Sequence, residues 1–216
     1  WIGVMIGIIW VDLCKGLKLN TAIAALSLAV FSMTVSATEG DSKWYVGIGG
    51  TTGSGTLTAT AAVANFTASA SADYDTSSIP VKLGIVLEND NRFELSYQSI
   101  KATDSSLGTE TISGVNVDYK LFIEEPKIKS FAPYVVGGLG LYEWENTAQY
   151  FVGDDNLHGL SWNIGAGGVY GIDNNIELEA TAQYKKINWQ DIRVGAINIV
   201  SDNSGTELYL GINYKL

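Results

Sequence analysis

Cysteine and proline are almost absent from this chain of 216 residues, which has one cysteine and three prolines. One thiol cannot form a disulfide framework or a cysteine-based metal site. The scarcity of proline excludes collagen-like sequence and proline-rich disorder. The chain has 24 glycines, and in a sequence that forms strands such abundance indicates close strand packing.

Charge is also scarce, since charged residues make up 17% of the chain against about 25% in soluble domains. The formal net charge is −10. A nucleic-acid partner is therefore not expected, because proteins that bind nucleic acid present a basic surface. Apolar residues make up 46%, and the length suits one domain.

The amino-terminal segment has the features of a secretory signal peptide. Lys15 and Lys18 precede an apolar run at residues 21–35, and small residues follow that run. This pattern predicts cleavage between Ala37 and Thr38. The run is shorter than the roughly 20 residues that a membrane-spanning helix needs.

We therefore divide the chain into a leader at residues 1–37 and a mature domain at residues 38–216. Residues 1–16 precede an otherwise ordinary signal peptide. Our interpretation is a misplaced translation start, with the precursor beginning at Leu17.

The mature sequence alternates apolar and polar residues in eight segments, and a period of two indicates β-strands. No mature stretch has the 18 or more apolar residues of a membrane helix. The eight segments lie near residues 43–51, 79–87, 92–100, 111–123, 132–144, 160–172, 176–187 and 207–216.

Short and long connections alternate strictly between these segments. The short ones are residues 88–91, 124–130 and 173–175, and the long ones are residues 52–78, 101–110, 145–159 and 188–205. Even-stranded membrane barrels have this pattern of short periplasmic turns and long external loops. We predict an all-β fold, an eight-stranded antiparallel up-and-down transmembrane β-barrel. The first long connection, rich in Thr, Ala and Ser, is either a projecting hairpin or a disordered tip.

Charged residues occupy the faces of these segments opposite the apolar ones. A Lys or Arg at the lipid midplane costs about 2–4 kcal/mol, whereas charges of opposite sign inside a small barrel can pair. The alternative is the solvated face of an open sheet. The predicted interior charges are Lys82, Arg92, Glu94, Asp118, Lys120, Glu177, Glu179, Lys185, Glu207 and Lys215.

Aromatic residues lie near segment ends on the apolar faces, as in the interfacial girdles of membrane proteins. Lys186 interrupts an apolar face, and we expect its ammonium group to reach water at the rim. The aromatic residues are Trp44, Tyr97, Trp162, Tyr170, Tyr184 and Tyr214.

Four stretches resemble the outer-membrane β-barrel family that includes the OmpA transmembrane domain, OmpX and the opacity-type proteins. Trp44-Tyr45-Val46-Gly47-Ile48-Gly49-Gly50 resembles the opening strand, and residues 132–140, 175–180 and 207–216 resemble later strands. The resemblance implies an eight-stranded barrel in the bacterial outer membrane. It also implies a C-terminal signal, read by the barrel-assembly machinery, at Leu208, Leu210, Ile212, Tyr214 and Leu216. The family usually ends in Phe or Trp, and Leu216 departs from that pattern.

An eight-stranded barrel is nearly filled by its own side chains. We expect a non-enzymatic outer-membrane protein that contributes to envelope integrity or adhesion through four long external loops. The expected partners are outer-membrane lipid and lipopolysaccharide, the assembly machinery, and host or surface ligands of the loops. We expect no cofactor and no metal, because Asp73, Asp75 and the pair Asp154-Asp155 match no known cage.

Three alternatives remain open at the level of sequence. The first is a narrow channel for small solutes. The second is a lipid A-modifying enzyme, for which the one histidine, His158, has Ser161 nearby but no Asp-His-Ser spacing. The third is a soluble, lipocalin-like ligand binder, whose apolar residues would face inward.

Overall fold

The computed structural model describes residues 43–104, 108–123, 130–145 and 156–216. The predicted leader and the Ala37–Thr38 cleavage site lie outside these residues. No helix in the described part of the chain is long and apolar enough to cross a membrane. The described strands are β1 (Lys43–Val63), β2 (Phe66–Ser78), β3 (Val81–Val86), β4 (Arg92–Asp104), β5 (Gly108–Phe122), β6 (Phe131–Glu145), β7 (Asn156–Gly171), β8 (Ile176–Trp189), β9 (Ile192–Val194) and β10 (Ile197–Lys215).

These strands form a closed antiparallel ring. The order is β1-β3-β4-β5-β6-β7-β8-β10, and pairing of β1 with β10 closes the sheet. β2 and β3 are two parts of one barrel strand, interrupted at Ile79 and Pro80, because proline has no N–H for the ladder. The described residues therefore form the predicted eight-stranded up-and-down barrel.

The predicted bounds of the first, second and eighth strands are wrong. β1 continues to Val63, β2 begins at Phe66, and β10 begins at Ile197. The connections at residues 52–78 and 188–205 are thus mostly strand. Of the two interpretations of the first connection, a projecting hairpin or a disordered tip, the structure agrees with the hairpin. The apolar signal is weak there because the side chains are small, but threonine favours strands and the backbones of β1, β2 and β10 pair throughout.

Tight turns connect β3 to β4 and β7 to β8 at one end of the barrel, which we call the short-turn end. Asp173 fixes one of them, because its Oδ1 accepts hydrogen bonds from the backbone N–H groups of Asn175 (2.8 Å) and Ile176 (2.7 Å). Such an aspartate turn replaces backbone pairing where the chain reverses. At a second turn the amide of Leu87 donates to the carbonyl of Asn91 (2.8 Å), and Asp90 has φ 61°.

Large apolar side chains cover the outside of the barrel in a continuous zone, which we call the apolar belt. Leu210, Ile164 and Leu139 are 60–69% exposed. Aromatic residues lie at both margins, as predicted: Trp44, Tyr170 and Tyr214 toward the short-turn end, and Tyr97, Trp162 and Tyr184 toward the other. Tyr170 and Trp162 are eight residues apart on β7, which is about 26 Å along a strand and close to the roughly 25 Å apolar band of outer-membrane barrels.

Polarity reverses beyond this belt, at the end opposite the short turns, which we call the hairpin end. Thr56, Thr58 and Thr60 continue the outward face of β1, while Leu57 and Ala59 continue its inward face. On β10 the outward residues Thr206, Ser204 and Asp202 are also polar, whereas the inward residues Asn203 and Ser201 remain polar and are buried. The strands there extend as a four-stranded sheet, the projecting sheet, made of residues 55–63, 66–74, 192–194 and 197–204.

The reversal produces a hydrophobic core inside the hairpin end, like the core of a water-soluble protein. We call this core the apolar layer. Trp144 and Trp189 pack with ring centroids 5.7 Å apart, and Leu57, Ala102 and Ile192 pack against the layer. Its buried members are Ile100, Ile112, Tyr142, Trp144, Leu157, Ile187 and Trp189. Within the belt the barrel is apolar outside and polar inside, and beyond it the inside is apolar.

Candidate functional site in the lumen and at the hairpin end

Two lysines and two glutamates form a closed ion cluster in the middle of the lumen. Lys120 Nζ lies 2.6 Å from Glu94 Oε2 and 2.7 Å from Glu179 Oε1. Lys82 Nζ lies 3.1 Å from Glu94 and 3.3 Å from Glu179. Each ammonium therefore contacts both carboxylates, which satisfies four buried charges together.

Further ion pairs lie on either side of this cluster. Arg92 binds Glu177 through two hydrogen bonds of 2.7 and 3.1 Å, the fork geometry typical of arginine with a carboxylate. Lys215 Nζ reaches the same carboxylate at 2.6 Å. Toward the apolar layer, Lys185 lies 2.9 Å from Glu207.

The structure places the ten predicted interior charges on the inward face. Nine of them are buried, and Lys215 is half-buried at the short-turn end. Asp118 is the one that the structure does not place in an ion pair; it accepts a hydrogen bond from Asn163 Nδ2 at 2.9 Å. The set holds five residues of each sign, so the formal charges of these ten residues cancel.

Three buried tyrosines lie over glycines on the neighbouring strand, a feature that sequence reasoning missed. Tyr45 pairs in register with Gly84, and its hydroxyl crosses that strand to donate to Glu94 Oε2 (2.9 Å). Tyr142 crosses Gly114 in the same way and accepts a hydrogen bond from Gln98.

Tyr134 repeats the arrangement across Gly167 and reaches Thr181 and Glu179. A Cβ at any of these three glycines would meet the tyrosine ring or hydroxyl at 2.1–2.7 Å. Each glycine therefore provides the space through which a tyrosine reaches across a strand. In the sequence these pairs appear only as glycines on the inward face of a strand. Which tyrosine lies over each glycine can be assigned only when the register of the strands is known.

Hydroxyl side chains form hydrogen bonds across the outward face of the projecting sheet. Thr58 and Thr60 on β1 form hydroxyl hydrogen bonds with Ser71 (3.2 Å) and Ser69 (2.6 Å) on β2. Thr56 donates to Asp73 Oδ1 at 2.7 Å. These cross-strand bonds stabilise a hairpin that has little apolar area.

The residues of the enzyme alternative do not meet. His158 is partly exposed on the outward face of β7, with Nδ1 3.7 Å from Glu143 Oε2. Ser161 is fully buried on the opposite face, where its Oγ donates to Asn116. A base and a nucleophile must lie within hydrogen-bond reach, and these two side chains lie on opposite sides of the sheet.

The remaining residues singled out from the sequence are four aspartates and Lys186. Asp73 and Asp75 lie exposed on the outward face of β2, and Asp154-Asp155 lies outside the described residues. Among the described residues no group of three or more His, Cys, Asp or Glu could hold a metal ion. Lys186 lies on the outward face at the rim, as expected, and the structure adds a partner: its Nζ is 3.3 Å from Asp202.

The C-terminal strand places its predicted signal residues on the outside. Leu208, Leu210, Ile212, Tyr214 and Leu216 are between 49% and 69% exposed. Between them Asn213 and Tyr209 point into the lumen and are buried.

Comparison with known proteins agrees with this architecture. Residues 23–214 match the family described as outer membrane protein beta-barrel domain. The chain belongs to this family. The protein is therefore located in the bacterial outer membrane, and its apolar belt faces lipid. The soluble lipocalin-like alternative is wrong, because its outer surface would be polar where the belt is apolar.

The chain is also similar to several solved structures. Neisserial surface protein A (NspA) superposes with a TM-score of 0.52 at 17% identity, covering 82% of this chain and 100% of that one. The N-terminal barrel domain of Pseudomonas aeruginosa OprF gives 0.42 at 17% identity, covering 80% of this chain and 97% of that one. Ail from Yersinia pestis gives 0.42 at 13% identity, covering 82% and 100%. No curated protein matches the chain.

Family membership also orients the barrel. In outer-membrane barrels the short turns face the periplasm and the long connections face outward. We therefore expect the short-turn end to be periplasmic, and the projecting sheet and the apolar layer to lie outside the cell.

Proposed function

We propose that this protein is a non-enzymatic, non-conducting outer-membrane barrel that presents its projecting sheet for contact with other surfaces. The observation that carries the proposal is the reversal of polarity at the outer edge of the belt. A sheet with polar residues outward and apolar residues inward is arranged to stand in water rather than in lipid.

A filled lumen supports the non-conducting part of the proposal. The paired charges occupy the part of the lumen inside the apolar belt, and the apolar layer closes its outer end. A cavity of about 30 Å³ lies among Lys82, Asp118 and Lys185, which is room for about one or two water molecules. We propose that no continuous water path crosses such a lumen, which argues against the narrow-channel alternative.

The base of the projecting sheet supports its role as a rigid platform. Leu57 on β1 and Ile192 on β9 pack against the apolar layer, and β2 pairs with β4 from Asp75 to Ser78. The sheet is therefore continuous with the barrel wall on both sides. NspA is by its name a surface protein, which agrees with this proposal, although the likeness itself concerns the fold.

Trimming the hairpin tests the proposal. Residues 58–71 are replaced by Asn-Gly, which joins the paired residues Leu57 and Ala72 through a two-residue turn suited to hairpins. Cells that express the trimmed or the intact chain are compared for adhesion to abiotic surfaces and to epithelial monolayers. Detergent sensitivity of the same cells measures envelope integrity, and heat-dependent migration on gels measures folding.

We expect the trimmed chain to fold and to lose adhesion while detergent resistance is kept. A control chain with Thr58→Ser and Ser71→Thr keeps the hairpin and should adhere like the parent. Equal adhesion by trimmed and intact chains would contradict the surface-contact role. Outer-membrane lipid and lipopolysaccharide around the belt, and recognition of the exposed face of β10 by the assembly machinery, remain part of this proposal.

A further inference from the structure

A cavity opens into the hairpin end between the projecting sheet and the wall formed by β4, β5 and β6. Its volume is about 220 Å³, compared with about 150 Å³ for an engineered cavity that accepts benzene. Leu57, Tyr74 and Glu110 remain partly exposed beside it, at the end of the barrel opposite the short turns. We call it the mouth cavity.

The walls of the mouth cavity are mainly apolar. Leu57, Ala72, Ala102, Ile112 and Trp144 contribute aliphatic and aromatic surface. These residues come from five different strands, and four of them also belong to or pack on the apolar layer. An apolar, partly open cavity of this size suits one aromatic ring or a short alkyl group.

Two carboxylates line the same cavity. Asp104 and Glu110 lie on the inward faces of β4 and β5 and are diagonal neighbours, since Asp104 pairs with Gly108 and Ala102 with Glu110. Among the residues that the structure describes, none of those that line the cavity is a lysine or an arginine. The electrostatic environment therefore favours a cation over an anion.

Hydrogen bonds hold the polar walls in place. Trp144 Nε1 donates to Glu110 Oε2 at 3.5 Å. On the opposite side Asn203 donates to the hydroxyl of Tyr74 at 2.9 Å and accepts from Trp189 Nε1 at 2.5 Å. A ligand thus meets a carboxylate and two aromatic rings that are already oriented, which lowers the entropic cost of binding.

We propose that the mouth cavity binds a small organic monocation, with an apolar or aromatic body in the cavity and an ammonium group beside Glu110 and Asp104. The rings of Trp144 and Tyr74 add favourable contact with the cation. This site is separate from the outward Thr-Ser face of the projecting sheet, and it does not depend on the surface-contact role.

Three probes of similar size and different charge test the proposal. The full chain is reconstituted in lipid nanodiscs, and equilibrium dialysis measures the binding of 2-phenylethylammonium, 2-phenylethanol and 3-phenylpropanoate. Empty nanodiscs correct for partition into lipid. We expect the ammonium probe to bind at least about tenfold more tightly than the other two.

Paired variants locate the site. Ala102→Leu fills the cavity and should weaken binding about tenfold. Thr103→Leu introduces the same side chain on the outward face of β4 and should leave binding unchanged. Glu110→Gln keeps the size of the side chain and should remove most of the preference for the cation. Heat-dependent migration confirms that each variant is folded.

Should Ala102→Leu fail to fold, Ala72→Leu fills the cavity from β2, with Ser71→Leu as its outward control. Ammonium binding that is lost in the filled variant and kept in its control supports the proposal. No binding of the ammonium probe, equal binding of all three probes, or ammonium binding that survives both the filled variant and Glu110→Gln would overturn it.

Discussion

The ring of Tyr45 lies across Gly84 on the neighbouring strand, where a Cβ would approach the tyrosine Cζ to 2.1 Å. This absence of a side chain lets the Tyr45 hydroxyl reach Glu94 on the strand beyond (2.9 Å). Tyr142 over Gly114 and Tyr134 over Gly167 repeat the arrangement. The inner network of this barrel thus depends on glycine as much as on charge.

We expect Gly84→Ala to destabilise the folded barrel by about 1–3 kcal/mol, because the methyl group forces the Tyr45 ring to move. Urea unfolding of the chain in phospholipid vesicles, followed by tryptophan fluorescence, measures the change. Gly50→Ala is the matched control on β1, since nothing lies within 4 Å of the Cβ position there. Equal effects of the two substitutions would contradict the steric account.

The central ion cluster predicts strong coupling between Lys120 and Glu179. Lys120→Met or Glu179→Gln alone leaves the buried cluster with one uncompensated charge and should cost about 3–5 kcal/mol. The double variant should cost clearly less than the sum of the two, which a double-mutant cycle of urea unfolding measures. Lys186 and Asp202 at the exposed rim provide the comparison, with an expected coupling of about 1 kcal/mol or less. Additive effects at the buried pair would contradict direct pairing.

The outer boundary of the apolar belt predicts a difference between two positions on the same face of β10. Leu210 lies within the belt and Val200 beyond it, and both are exposed. Leu210→Lys should destabilise the barrel in vesicles by about 2–4 kcal/mol, and Val200→Lys by less than about 1 kcal/mol. Similar costs at the two positions would show that the belt boundary is misplaced.

Much of the architecture could be predicted from alternation alone. A membrane strand is predicted by an apolar face at Leu208, Leu210 and Ile212 and a charged residue, Glu207, on the opposite face. An apolar face is stable in contact with lipid, and the small lumen accommodates polar side chains. The family motifs then suffice to predict the outer-membrane location.

The hairpin end could not be predicted in the same way. Alternation continues through Thr56, Leu57 and Thr58, but the apolar face has changed sides, and small side chains give a weak signal. Trp144 and Trp189 fall at or beyond the ends of predicted strands, so their joint burial needed the register of β6, β7 and β8. The ion partners also depend on register, because the pairing of Lys82 with Glu179 spans 97 positions of sequence.

Ion conductance measures whether side chains close this barrel to solutes, as we propose. The refolded chain is inserted into a planar lipid bilayer, with a general porin in the same bilayer as a positive control for insertion and detection. We expect no discrete conductance steps from this chain at voltages at which the porin conducts. Regular conductance steps that scale with the amount of folded barrel would contradict this proposal.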